Sequence, residues 1–375
     1  MLTAKMAIIN SRHKSDSIII LQVLLNPEIL LSLSLQEWDR MLPIARHFGV
    51  LGSLQTRLAE RGLLEQVPSP VRTHLEAAGI IAADHERMIR WEVNRIQRAL
   101  ADTRVTPILL KGAAYVLAGL PCARGRLVAD VDLLVSREQL PLTEQALHSH
   151  GWVTVKQNVY DQHYYRRWMH ELPPLQHRLR GTIVDVHHNI LPQTNRLKVN
   201  PLPLLADAQP IAETSLRVLA PVDMVLHSAV HTFQDGDLAN YLRDLLDFHE
   251  LLSHFGKEYD FWNLLVQRAY ALNLVRPLYY AVRYSRCFLR TQIPPATMTA
   301  LKQKGPVWPV QIIMDALVGQ TLYNNSSTHW EATIARRLLY LRSHWLRMPP
   351  LLLSRHLLYK AFTRLQSHVV QPHQP

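Results

Sequence analysis

Apolar residues recur at helical spacing from residue 17 to about 104 and then change period. "SIIILQVLL" at 17–25 has the apolarity of a leader segment. It follows a polar start, however, and no small-residue cleavage site comes after it, so it is read as a helix that packs. "LSLQEWDRMLPIARHFGVLGSLQTRLAERG" carries a helical apolar face and stops at Gly62, and "PSPVRTHLEAAGIIAADHERMIRWEVNRIQRALADT" predicts a long amphipathic helix begun by prolines. After residue 105 the runs shorten. "TPILLKG" predicts a strand, "AAYVLAG" a short helix, "LPCARGR" a loop, "LVADVDLLV" a second strand, and "REQLPLTEQALHSHG" a helix closed by Gly151. "TIVDVHHNIL" predicts a third strand. From about Ala220 the pattern is helical again, through "VDMVLHSAVHTF" and "LANYLRDLLDFHELLSHF" to the end. No internal repeat or low-complexity tract interrupts it. The expected fold class is therefore α+β: a small mixed-sheet unit over 105–200 between a helical region at 1–104 and a helical domain at 201–375.

The second strand carries an anomaly. Side chains alternate faces along a strand, so Leu127, Ala129, Val131, Leu133 and Val135 form one apolar face, and Asp130 and Asp132 sit side by side on the other between Val128 and Leu134. Their Cα atoms are expected roughly 6.5–7 Å apart. At that separation two anions repel by roughly 2 kcal/mol at an effective dielectric of about 20. A solvated sheet face is the plain explanation; a bound cation is the informative one. On the third strand Asp185 and His187 share a face opposite Val184 and Val186.

Composition narrows the partners. The chain has 375 residues, 48% of them hydrophobic and 19% charged, which suits a folded protein with a sizeable core. Lysine and arginine number 41 against 30 acids, a formal net charge of +11, so an anionic partner is expected: nucleotide phosphates, nucleic acid or an acidic membrane surface. Cys122 and Cys287 are too few for a disulfide framework and make no metal-ligand spacing, which points to the reducing cytoplasm. No apolar run approaches the roughly 20 residues of a membrane span. The 20 histidines do not cluster at ligand spacing.

Taken in order, "ILLKGAA" at 108–114, Arg126, "DVDLLV" at 130–135 and "IVDVHHNIL" at 183–191 resemble the nucleotidyltransferase superfamily with the polymerase-β-like catalytic fold. The match is best to an uncharacterised bacterial branch built around a KG turn, an arginine and a D-x-D strand. The helical flanks "EWDRMLPIARHFGVLGSL", "VLAPVDMVLHSAVHTF" and "LRDLLDFHELL" match it as well, so the resemblance covers roughly residues 35–255. It implies a metal-dependent enzyme that moves NMP from an NTP to an unidentified hydroxyl acceptor: a small molecule, sugar, protein or RNA. Such transfer uses paired divalent ions, Mg²⁺ or Mn²⁺, held by carboxylates. By resemblance Asp130, Asp132 and Asp185 are the catalytic and metal residues, with Asp185 binding the catalytic metal or taking the nucleophile's proton. Lys111, Gly112, Ala113 and Arg126 are the nucleotide-binding residues, at a turn that opens a helix. The wider superfamily has Gly-Ser or Gly-Gly at this turn. Gly112-Ala113 lacks the hydroxyl, and Lys111 supplies charge in its place.

Each residue also has a structural reading: Lys111 as a solvated strand end, Arg126 as an ion-pair partner of Asp130, Asp185 as a solvated acid. His187 and His188 are read as packed imidazoles rather than ligands, and His231 and Asp244 as partners in a helix–helix hydrogen bond ahead of a nucleotide or acceptor contact. The alternative to an enzyme is a non-catalytic nucleotide-binding or assembly protein on the same fold. Nucleic acid is admitted by the charge but not indicated, since no stacking-aromatic array is evident. The basic, apolar stretch at 335–365 admits weak membrane-surface association. A terminal helical hairpin broken at Pro349-Pro350 is the preferred reading.

Overall fold

The computed structural model describes residues 16–212, 214–235, 241–323 and 330–355. Four helices lead: α1 (Asp16–Leu25), α2 (Leu35–His47), α3 (Leu51–Glu60) and α4 (Ser69–Ala99). The 17–25 segment packs as expected, with Ile20, Val23 and Leu24 fully buried. A capping box starts α2: Ser34 accepts from the Glu37 N–H while the Glu37 carboxylate accepts from the Ser34 N–H.

The sheet has seven strands: β1 (Ile108–Leu109), β2 (Asp130–Leu134), β3 (Trp152–Thr154), β4 (Leu175–His177), β5 (Ile183–His187), β6 (Gln209–Pro210) and β7 (Arg217–Val218). Their order is β3-β4-β5-β2-β1-β7-β6. β2 runs parallel to β5 and antiparallel to β1, and β1 runs parallel to β7, so the sheet is mixed. The α+β expectation holds, and the three predicted strands are present at the centre. β3, β4, β6 and β7 are additional. At two or three residues each they are too short for an alternating pattern to show. β6 and β7 come from beyond residue 200 and complete one side of the sheet.

The short helices between strands are α5 (Lys111–Leu117), α6 (Leu140–Ser149), α7 (Val159–Trp168) and α8 (Leu202–Ala206). The C-terminal half is helical: α9 (Pro221–Val230), running into a π-helical turn at His231–Asp235, then α10 (Tyr241–Phe255), α11 (Phe261–Ala271), α12 (Val275–Leu289), α13 (Pro295–Gln303), α14 (Trp308–Tyr323) and α15 (Trp330–Arg347). One continuous buried cluster runs through all three regions, from Trp38 and Leu54 through Leu109, Leu133 and Val186 to Leu226 and Tyr280.

The helix α15 ends at Arg347, just before Pro349-Pro350, and 350–355 are helical again; residues 356–365 of the expected hairpin lie outside the described ones. α15 buries Ala332, Ala335 and Leu339, while Trp330, Ile334, Leu338, Leu341 and Trp345 stay exposed on one stripe. Among the described residues no helix is long and apolar enough to cross a membrane.

Two devices fix the loop before β2. Gly125 sits at φ +66°, and a Cβ there would lie 2.3 Å from the Gly52 carbonyl, so the loop backbone presses directly on α3. Asp247 on α10 then binds two arginines. It accepts from Arg126 Nε at 2.9 Å and from Arg243 Nη2 at 2.5 Å, and Arg243 also donates to Ser53 Oγ on α3 and to the Cys122 carbonyl. Asp247 and Arg243 are 3% and 6% exposed. Removing the acid strands two buried guanidinium groups. Asp247→Asn is therefore expected to lower unfolding stability by about 3–5 kcal/mol in urea titrations. A loss below about 1 kcal/mol, the worth of an exposed pair, would mean that this tie does not hold the three regions together.

Candidate functional site

The register of β2 on β5 builds the site. Asp132 pairs directly with Asp185, and Asp130 with Ile183. Partners across a parallel ladder share a face, and so do residues two apart, so Asp130, Asp132, Asp185 and His187 all project to one side. Opposite them Val131, Leu133, Val184 and Val186 are buried. Glu171 joins the same face through a single antiparallel bridge to His187. The bonds Leu172 N–H to Val186 O and His188 N–H to His170 O, both 2.8 Å, lay this otherwise irregular segment along β5.

Asp132 is at the centre, 3% exposed. Its Oδ1 accepts from Lys111 Nζ at 3.0 Å and from His187 Nε2 at 2.9 Å. Burial alone would raise its pKa, but Lys111 and His187 outweigh burial and hold the carboxyl well below the usual range. Burial likewise works against a charged Lys111, and Asp132 overcomes it, so the ammonium is held charged. His187 reaches Glu171 Oε2 from Nδ1 at 3.3 Å. Burial opposes its protonation, yet Asp132 and Glu171 raise its pKa above the ordinary value.

The other two aspartates have the opposite character. Burial, then Asp132 and Glu171, push Asp185 up to about 7. Burial followed by Asp132 raises Asp130. Asp185 Oδ1 is buried without a hydrogen-bond partner. An unpartnered carboxylate oxygen costs a full desolvation penalty unless a proton or cation sits on it. The three aspartates on this face offer carboxylate oxygens, which suit a hard divalent ion.

Lys111 stands at φ 45°, left-handed for a residue with a side chain. Such a conformation costs on the order of 1–3 kcal/mol and here carries the ammonium back over the sheet to Asp132 rather than out to solvent. Gly112 and Ala113 follow it, both buried, at the start of α5. A Cβ on Gly112 would lie 2.3 Å from Arg126 Nη1 and 2.8 Å from Val128 Cγ1, so the glycine makes room for the arginine. Arg126 does not pair with Asp130, as its structural reading had it; its ion-pair partner is Asp247. It remains near enough to Asp130 to pull that pKa downward.

His231 and Asp244 approach to 3.9 Å, too long for the hydrogen bond expected between their helices. Burial raises Asp244, and His227 is pushed down to about 3 by burial, Lys111 and His231. The sequence reading missed Glu171 and the contact between His187 and Asp132. The first lies in "MHELPPL", which has no period. The second could have been found from the shared face of Asp185 and His187, had the parallel register with β2 been known.

Residues 34–290, more than half of the chain, match the model of a family described as uncharacterised nucleotidyltransferase. The chain belongs to this nucleotidyltransferase family. The match spans every residue of the site above. No curated protein matches significantly. An antigenic nucleotidyltransferase-like protein from Paracoccidioides brasiliensis is a similar solved structure, at 16% identity over 61% of this chain and 95% of that one. Its TM-score of 0.30 is too low to carry an argument.

The raised Asp185 has a signature in the metal-free protein. Its folded pKa of about 7 exceeds the unfolded value near 3.8, so folding favours the protonated form. The associated stability is fully present below about pH 3.8 and is lost as pH rises through about 7. Asp185→Asn removes the titration. In thermal unfolding without divalent ions, the variant's advantage over wild type is expected to grow from pH 4 to 7 and then level off. A constant difference across that window would show that Asp185 is not held protonated.

Proposed function

We propose that the protein transfers a nucleotidyl group from an NTP to a hydroxyl acceptor, with Asp130, Asp132 and Asp185 holding Mg²⁺ or Mn²⁺. The observation that carries this reading is the direct pairing of Asp132 with Asp185, with Asp130 on the same face and Asp185 Oδ1 left without a partner. Membership of a nucleotidyltransferase family supplies the reaction class. In the reaction the acceptor hydroxyl gives up its proton to solvent, its oxygen bonds to the α-phosphorus, the α–β bridge breaks and pyrophosphate leaves. The metal supplies charge that stabilises the crowded phosphate oxygens.

The chain's own residues bind and orient. Lys111, released from Asp132, carries its ammonium to the β- or γ-phosphate; its side chain is 25% exposed. Arg126 is fixed by Asp247 beside Gly112 and Ala113 and presents positive charge there. His187 keeps hold of Asp132 and orients it. The alternative, a non-catalytic nucleotide-binding or assembly protein, draws on one fact: Lys111 already neutralises Asp132 without any metal.

Labelled NTPs incubated with cell extract separate the two. The enzyme is expected to place label on an acceptor only with Mg²⁺ or Mn²⁺, and Asp130→Asn is expected to cut turnover by at least about 100-fold, the worth of several kcal/mol of metal stabilisation. Label transfer that is indifferent to metal, or intact in the variant, would reject the assignment.

Lys111→Ala tests the phosphate contact. NTP binding measured calorimetrically at saturating Mg²⁺ is expected to weaken by about 1.5–3 kcal/mol, the range for a hydrogen bond to a charged group. Mn²⁺ binding without nucleotide is expected to hold or tighten, because a competing cation leaves Asp132. Unchanged NTP affinity would make Lys111 a structural partner of Asp132 only.

A further inference from the structure

Beside the three aspartates lies a second group of donors of different chemistry. One ring nitrogen each of His170 and His187 and a carboxylate oxygen of Glu171 lie within 4.8 Å of one another. We propose that His170, Glu171 and His187 form a separate site for a borderline transition-metal ion, Zn²⁺ in the first instance. This inference stands whether or not the aspartates catalyse nucleotidyl transfer.

The geometry favours a metal in three ways. Ligands about 2.1 Å from tetrahedral zinc stand about 3.4 Å apart, and His187 Nδ1 and Glu171 Oε2 are 3.3 Å apart. The second ring nitrogen of His187 is already occupied, since Nε2 bonds to Asp132 Oδ1 at 2.9 Å. With Nε2–H donating to that carboxylate, Nδ1 faces Glu171. The carboxylate–histidine–metal arrangement is the usual way a ligating histidine is oriented. An imidazole nitrogen and a carboxylate oxygen at that distance share either a proton or a metal ion. Finally, the frame is rigid. Both histidines are buried, at 6% and 3% exposed, and Glu171 is bridged to His187 through the backbone.

Donor type sets the ion. Two imidazoles and one carboxylate select Zn²⁺ or Co²⁺ over Mg²⁺, whereas the three aspartates select Mg²⁺ or Mn²⁺. Three protein donors leave a fourth position open, as in catalytic rather than structural zinc sites. The shared Asp132–His187 contact would let each ion sense the other.

Cobalt, a spectroscopic stand-in for zinc, gives the test. Co²⁺ titrated into the full chain in excess Mg²⁺ is expected to bind at one equivalent with a visible d–d band. Glu171→Gln, which keeps shape, and His170→Ala are each expected to weaken that binding at least about tenfold, since even losing an outer-shell partner of a ligand costs 10–100-fold. Asp130→Asn is expected to leave it unchanged. X-ray absorption on the zinc-loaded wild type needs no variant and should report two imidazole nitrogens with oxygen ligands at about 2.0–2.2 Å. No Co²⁺ uptake in excess Mg²⁺, equal uptake by Glu171→Gln and His170→Ala, or a zinc spectrum without imidazole would overturn the proposal. In that case a proton bridges His187 and Glu171, and the aspartate reading is untouched because Mg²⁺ and NTP measure it.

Discussion

Asp132 is a buried carboxylate that stays charged because an ammonium and an imidazole share one of its oxygens. Much of the site follows from that arrangement. It explains why Lys111 is held in a left-handed conformation and why the pKa of His187 is raised despite burial, and it adds to the burial that pushes Asp130 and Asp185 toward their neutral forms. Four carboxylates, Glu171 included, crowd one sheet face, and Asp132 is bonded there by the Lys111 ammonium and the His187 imidazole. A chain that needed only a stable sheet would gain by replacing the buried ionic cluster with apolar residues, since buried charge seldom stabilises in net terms. Retaining it is intelligible when the charges are exchanged for metal and phosphate.

The helical regions carry the parts that the sheet cannot. β1 is two residues long and β2 five, too little to anchor a charged loop by ladder bonds alone. Arg126 is fixed by Asp247 from α10, Arg243 ties the same acid to α3, and Gly125 lets the loop backbone touch Gly52. Arg126 thus belongs to a frame assembled from all three regions, and the buried cluster running through them makes that frame one packed unit.

The central strands and their shared acidic face were legible in the sequence because polar and apolar residues alternate from Asp130 to Leu133 in β2 and from Val184 to His187 in β5. Asp185 could be placed with Asp130 and Asp132 through the order of motifs. What escaped was whatever depends on register or on distant pairing. The direct apposition of Asp132 and Asp185 needs the parallel ladder. Arg126 lies 121 residues from Asp247, so its partner was assigned to the nearer Asp130. Glu171 reaches the face by a single bridge in a segment without period, and β3, β4, β6 and β7 are shorter than the pattern that would reveal them. His187 was visible on the right face but read as packing, because its role comes from a strand 55 residues earlier.

Anomalous scattering from crystals grown with Mn²⁺ and a non-hydrolysable NTP tests directly whether cations exchange at Asp132. Manganese is expected among Asp130, Asp132 and Asp185, with the Lys111 ammonium moved from Asp132 to a phosphate oxygen. Manganese absent from that face, with Lys111 still seated on Asp132 Oδ1, would contradict that exchange.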